Sequence, residues 1–247
     1  MTNAVATVEV RRIASAQGVI VFDAALLPQA TPELGERASW PHAKLLSGRG
    51  GRGGVSVVHG DFGAGLLRHY HRGGVIGRWI RDRYLYLGEA STRCLREFQL
   101  LLRLRELGLP VPRPIFATWR RSGLLYRADL MTMLIPEART LAECLRESHG
   151  TIDWEKMGET LAQFHAAGVF HADLNAHNIL IDAQARIWLI DFDRGRLRHG
   201  YGSWQASNLM RLRRSLDKLG GIAPAAWSSL QAAYGSAMAA RGRQAGE

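Results

Sequence analysis

The chain has 247 residues, 47% of them hydrophobic, and a formal net charge of +10 at pH 7. It is long enough to bury the core of one large domain or one two-lobed domain, so a globular enzyme is within reach. No run of about 18 apolar residues occurs and the first 20 residues lack a basic-then-apolar leader, so the chain is expected to stay in the cytoplasm.

The basic surplus seeks nucleic acid, an anionic membrane or an anionic substrate. Lysine stands only at Lys44, Lys156 and Lys218, so arginine dominates. That bias suits bidentate grip on phosphate or carboxylate, and equally reflects genomic base composition. Cys94 and Cys144 lie in apolar helical patterns without metal-ligand spacing and read as buried free thiols.

Residues 1–45 mix short apolar runs at 19–22 and 24–27 with Pro28, Pro32 and Pro41, the pattern of an irregular or strand-bearing N-terminal arm. Next, SGRGGRGGVSVV at 47–58 places Gly48, Gly50, Gly51 and Gly53 ahead of a β-branched strand. Glycine there permits a tight turn and close approach of backbone to phosphate, although such turns are common. GLLRHY at 65–70 reads as the following strand.

Residues 72–88, RGGVIGRWIRDRYLYLG, interleave Arg78, Arg81 and Arg83 with Trp79, Ile80, Tyr84, Leu85 and Tyr86. Such a segment either lies on an anionic membrane, arginines on headgroups and aromatics at the water boundary, or is an ordinary amphipathic helix. Ser91 is positioned to cap a helix that Gly108 ends and Pro110, Pro112 and Pro114 keep from resuming. Cys94, Glu97, Phe98 and Leu101 share one face of it, so Glu97 is a carboxylate on an apolar face and needs a partner. An alternative is a surface Glu97 paired with Arg93 or Arg105.

Strands are predicted at 112–119 and 124–135, then a helix capped by Asp153 with Trp154, Met157, Leu161 and Phe164 facing a core and Gly168 at its end. His165 on that helix reads as structural. The chemistry is concentrated further on, in HADLNAHNILID at 171–182 and IDFD at 190–193. A loop offering a carboxylate at Asp173 and an amide at Asn178, followed after a strand-length spacer by Asp191, suits metal-assisted phosphoryl transfer. Asp173 would orient or deprotonate an acceptor hydroxyl, and Asn178 and Asp191 would supply oxygen ligands to magnesium on nucleotide phosphates. His171 is assigned to holding the loop by hydrogen bonds, His177 to solvent, Asp182 to a turn. Arg194, Arg196 and Arg198 either fan out beside an anionic acceptor or form a solvated basic loop. A short helical bundle follows, with Trp204, Leu209, Leu212, Leu216 and Leu219 inward and Arg211, Arg213 and Arg214 on a basic surface.

HADLNAHNIL resembles the HRDxxxxN catalytic loop of the protein-kinase-like superfamily, and IDFD its DFG segment. The resemblance implies an α+β, two-lobed fold with a small β-rich N-lobe at 46–136 and a reduced, mainly helical C-lobe at 137–247. It implies that Arg68 replaces the phosphate-holding lysine of the third strand, or that His69 or His71 takes the role. It also implies that Glu97 pairs with that cation and that the backbone of Met133 to Ile135 meets adenine, unless this is a plain strand and loop. Three departures stand out: Ala172 where an arginine is usual, Asn175 in place of lysine, and Asp193 in place of the DFG glycine, with no APE motif after it. With only a short stretch after Asp191, a large peptide-docking lobe is not expected and the acceptor is not expected to be a protein.

LLRHYHRGG, RDRYLYLG, STRCLREFQLLLRLRELGLPVPRPI, LLYRADLMTMLIP, HADLNAHNILID and LIDFDRGRLR together resemble the 3-deoxy-D-manno-octulosonic acid (Kdo) kinases of lipopolysaccharide synthesis. What this implies is ATP- and Mg2+-dependent phosphorylation of the 4-hydroxyl of Kdo on the lipid A precursor, Kdo-lipid IVA, at the cytoplasmic face of the inner membrane. That acceptor carries carboxylate, phosphates and acyl chains, in keeping with the arginine surplus. Alternatives are a heptose kinase of the lipopolysaccharide core, a small atypical protein kinase, or a non-catalytic module on a kinase fold that binds an anionic membrane. Nucleic acid is not expected as a partner, because no repeated aromatic-basic motif accompanies the charge.

Overall fold

A computed structural model describes residues 8–16, 18–46, 54–71, 82–147 and 152–244. The fold is α+β and kinase-like, and its chain divides into two units, Met1–Glu106 with Pro112–Leu134 and Leu107–Val111 with Ile135–Glu247.

The first unit is built on an antiparallel sheet of β1 (Val10–Ser15), β2 (Gly18–Asp23), β3 (Lys44–Leu46), β4 (Val55–Gly60), β5 (Gly63–His69), β6 (Tyr84–Leu85), β7 (Pro114–Ser122) and β8 (Leu125–Met133). Its order is β1-β2-β7-β8-β5-β4-β3, with β6 also on β8. Period-two alternation sends Val58 and Leu67 into a core with Ile20, Phe22, Ile115, Phe116 and Met131. Leu66 and Arg68 take the opposite face of β5 from Leu67.

Within the first 45 residues, expected to be irregular or strand-bearing, β1 and β2 are strands of this sheet. Their apolar run at 19–22 can satisfy its backbone only by pairing, and β2 lies on β7 with Val19 opposite Trp119 and Phe22 opposite Phe116. Asp23, fully buried, is held by Arg113 at 2.5 Å.

Helix α1 (Arg93–Glu106) packs on β7 and β8 and buries Cys94, Leu95, Glu97, Phe98, Leu101 and Leu104. A 3-10 turn at Glu89–Ser91 precedes it. The residue before the first helical turn is thus Thr92, not Ser91, and its Oγ1 donates to Glu89 O at 2.7 Å.

The second unit contains β9 (Arg139–Thr140), α2 (Leu141–Glu147), α3 (Trp154–Ala166), β10 (Val169–Phe170), β11 (Ile179–Ile181), β12 (Ile187–Leu189), β13 (Arg196–Leu197), α4 (Ser203–Asp217) and α5 (Pro224–Gln244). Two small antiparallel sheets, β12-β11-β9 and β10-β13, sit among these helices. Asp153 caps α3 by accepting from Lys156 N at 2.9 Å. Gly158 lets α5 approach so closely that a Cβ there would run into the carbonyl of Leu230. Gly168 ends α3 at φ 77°, and its carbonyl accepts from Arg198 N at 2.7 Å.

His165 is structural. Its Nδ1 meets Tyr234 Oη at 2.9 Å, its ring lies edge-on to Trp204, and burial lowers its pKa to about 4. The thiols of Cys94 and Cys144 are free and buried. Among the described residues no helix is long and apolar enough to cross a membrane.

Candidate active site

The loop between β10 and β11 carries the expected acid and amide, and hydrogen bonds fix nearly every turn of it. His171 is buried, with Nδ1 accepting from Asp173 N at 3.2 Å and Nε2 donating to Ile190 O at 2.9 Å. Both ring nitrogens are engaged only if the imidazole is neutral with its proton on Nε2. Burial lowers its pKa, which holds that form, so His171 ties the catalytic loop to the segment before Asp191 rather than shuttling protons.

Asn175 donates through Nδ2 to Asp173 O at 3.1 Å and accepts from His177 N at 2.8 Å, closing the middle of the loop. Asn178 Nδ2 donates to the same Asp173 carbonyl at 2.9 Å, which fixes the amide plane. The Asp173 carboxylate itself is 57% exposed. His177 is exposed, and Asp182 turns the β11–β12 hairpin by accepting from Gln184 N, Arg186 N, Arg186 Nε and Trp188 Nε1.

The hairpin brings Asp191 to Asn178. Ile179 pairs with Leu189, and the next rung, Ile190 N to Asn178 O at 3.1 Å, extends past the strands. Asp191 then turns off at φ 61°, a left-handed conformation that few residues other than glycine tolerate and that aspartate adopts more readily than most. Phe192 anchors the turn, buried and stacked on Phe164 at 6.1 Å between centroids. An amide oxygen and a carboxylate are hard donors that fit magnesium, which takes one or two protein oxygens and fills its shell with phosphates and water. Among the described residues no group of three or more His, Cys, Asp or Glu side chains gathers as a metal cage.

Two polar residues of α4, passed over in the sequence as part of a basic surface helix, hold the loop from behind. Asn208 accepts from His171 N at 3.2 Å and donates to His171 O at 3.0 Å; Ser215 Oγ accepts from Ala176 N at 3.1 Å. Their spacing, with Arg211 between them, was the available signal. Arg196 of β13 and Arg198 just after the strand pack their guanidinium groups over Phe170 at 5.1 and 4.3 Å. Arg194 is exposed at φ 65°.

In the first unit, Arg68 and Glu97 meet. Arg68 Nη2 donates to Glu97 Oε2 at 2.5 Å, with the Glu97 side chain 3% exposed. Tyr70, two residues along from Arg68, donates its hydroxyl to the same oxygen at 2.5 Å, and the guanidinium lies 4.7 Å from the Tyr70 ring centre. Burial and Glu97 raise the phenol pKa well above its usual value, so it stays a donor. Nothing but the period of two marks Tyr70 in the sequence. His69 faces away from this pair, with Nδ1 2.5 Å from buried Asp129, and His71 stacks edge-on against it. Arg68 is thus a cation candidate that pairs with Glu97.

Met133 N donates to Arg113 O at 2.8 Å and Leu134 N to Ala64 O at 2.9 Å. The N–H groups of Met133 and Leu134 are thus both taken within the unit, and Ile135, buried, follows immediately. Gly48, Gly50, Gly51 and Gly53, like Arg78 and Arg81, lie outside the described residues.

Residues 41–234 match the model of the lipopolysaccharide kinase (Kdo/WaaP) family. The chain belongs to that family. As a member of the lipopolysaccharide kinase family it is a phosphotransferase. Relatives include proteins named 3-deoxy-D-manno-octulosonic acid kinase from Stenotrophomonas maltophilia (strain R551-3), 45% identical, and Xanthomonas axonopodis pv. citri (strain 306), 47% identical. Each match spans 204 residues, 83% of this chain and 82% of the relative.

Proposed function

We propose that this kinase transfers the γ-phosphoryl group of ATP to the 4-hydroxyl of Kdo on the lipid A precursor, Kdo-lipid IVA. The observation that carries the reading is the loop in which Asp173 stands exposed while Asn178 and Asp191 are held side by side by the rung from Ile190 to Asn178. In this reading Asp173 accepts the hydroxyl proton as the sugar oxygen attacks. Asn178 and Asp191 hold magnesium, which when bound neutralises charge on the nucleotide phosphates. Arg68, oriented by Glu97, grips those phosphates, and the glycines at 48, 50, 51 and 53 cover them. Met133 and Ile135 border the adenine. Arg194, Arg196 and Arg198 face the acceptor's carboxylate and phosphates, Arg196 and Arg198 held in place by Phe170. The same reading sets the working lobes at 46–136 and 137–247, the first incorporating the strands of residues 1–45.

Purified protein with Mg-ATP and Kdo-lipid IVA is expected to give a product heavier by one phosphate. No mass shift with Kdo acceptors in any detergent, but transfer to a core heptose, would identify a heptose kinase instead. No transfer at all, with lipid binding intact, would leave the non-catalytic membrane module.

We also propose that the enzyme works as a peripheral protein on the cytoplasmic side of the inner membrane, where its acceptor's acyl chains reside. The net charge of +10 and the arginine-aromatic alternation at 72–88 support this. Flotation with anionic liposomes is expected to weaken as salt is raised and on changing Arg78, Arg81 and Arg83 to Ser. Flotation indifferent to salt, or none in the parent protein, counts against an electrostatic surface.

A further inference from the structure

We infer that Arg211, on α4, is a catalytic residue that contacts the phosphoryl group during its transfer; this rests on the phosphotransferase reading of Asp173. Asn208, Arg211 and Ser215 follow one another at i, i+3 and i+7, so they share one face of the helix. The two outer residues grip the loop at His171 and Ala176. The middle one is thereby delivered to the carboxylate between them, Arg211 Nη1 standing 4.0 Å from Asp173 Oδ1.

The site needs such a cation. A transferring phosphoryl group spreads negative charge over three equatorial oxygens, and catalysis is largely its electrostatic stabilisation. Asp173 alone brings another negative charge to that point. The loop from His171 to Asn178 has no arginine or lysine, the imidazole of His171 is buried, that of His177 points to solvent, and the amide of Asn175 is consumed within the loop. α4 brings a positive charge to this loop in Arg211.

At 4.0 Å the guanidinium is near Asp173 without being spent on it, unlike Arg213, which bonds Asp217 at 3.0 Å, or Arg186, which bonds Asp182 at 2.9 Å. Its side chain is 46% exposed, so its donor fork is open to an incoming anion.

The step balances without Arg211 exchanging a proton. The acceptor oxygen bonds to the γ-phosphorus, the bond from that phosphorus to the β,γ-bridging oxygen breaks with its electron pair staying on ADP, and the hydroxyl proton passes to Asp173. Arg211 remains protonated throughout and hydrogen-bonds the phosphoryl oxygens.

In the full-length protein, Arg211→Ala is expected to lower kcat for phosphate transfer about 10²- to 10³-fold with KM for ATP changed less than about threefold. Arg211→Lys should retain an intermediate rate, and added guanidinium ion should restore part of the Ala variant's activity. Arg213→Ala, which removes the same charge from another face of α4, should keep the parent rate. A kcat for Arg211→Ala within about threefold of the parent overturns the inference. So does a loss that guanidinium does not relieve and that Arg213→Ala shares, because overall basic charge would then be responsible. If the parent transfers phosphate to heptose and not to Kdo, the acceptor reading fails and Arg211 is judged on heptose by the same criteria. A parent inactive on every acceptor removes both.

Discussion

Changing Asp173 to Ala is expected to abolish phosphate transfer while leaving folding intact, with kcat falling by about 10³ or more if the carboxylate is the acceptor of the hydroxyl proton. The separation of chemistry from stability follows from what each part of this residue does. Its N–H donates to His171 and its carbonyl receives both Asn175 and Asn178, so the backbone carries the loop. The carboxylate is 57% exposed, and among the described residues its ion-pair partner is Arg211, at 4.0 Å. Loss of an exposed carboxylate with one long contact should cost well under about 1 kcal/mol. Asp173→Asn should be nearly as inactive as Asp173→Ala, because an amide of the same shape cannot take a proton. The measurement is single-turnover transfer from labelled ATP alongside thermal unfolding. A residual rate within about tenfold of the parent would transfer the proton-accepting role elsewhere and sink the assignment.

How much of this was readable beforehand depended on whether the signal was local. The spacing of Asp173, Asn178 and Asp191 is local, because one loop and one hairpin set it. Glu97 was legible because a carboxylate on the apolar face of a helix demands a partner, and Arg68 on the neighbouring strand was the cation that answered. The incorporation of residues 10–23 into the sheet was not legible, since the pairing of Val19 with Trp119 is a choice of partner across a hundred positions that local periodicity does not encode. Asn208, Arg211 and Ser215 were missed for a different reason. Polar residues on a helix at i, i+3 and i+7 look like its solvated face, and only the loop's need for donors and acceptors turns that face inward. Tyr70 hid in the same way, as one aromatic among the apolar residues of a strand.

The cluster around Glu97 gives the second large effect, and here stability and activity are expected to move together and then part. One oxygen, Glu97 Oε2, receives both Arg68 and Tyr70 at 2.5 Å. Glu97→Ala leaves a guanidinium only 23% exposed without its carboxylate and a buried phenol without its acceptor. Breaking a buried pair from one side typically costs about 3–5 kcal/mol, against which Glu97→Gln, which keeps an acceptor for Tyr70, should cost less. KM for ATP should rise about tenfold or more in Glu97→Ala, because Arg68 is no longer held where the phosphates bind. The joint variant Arg68→Met with Glu97→Leu separates the two roles. Replacing both ions by apolar side chains of similar volume removes the desolvation penalty together with the attraction, so chemical denaturation should show most of the lost stability restored. ATP affinity should not return, since no cation remains on β5 at that point. A joint variant that unfolds like the parent and binds ATP like the parent would make the pair a structural fixture, and the phosphate grip would have to be sought among the other arginines of the unit.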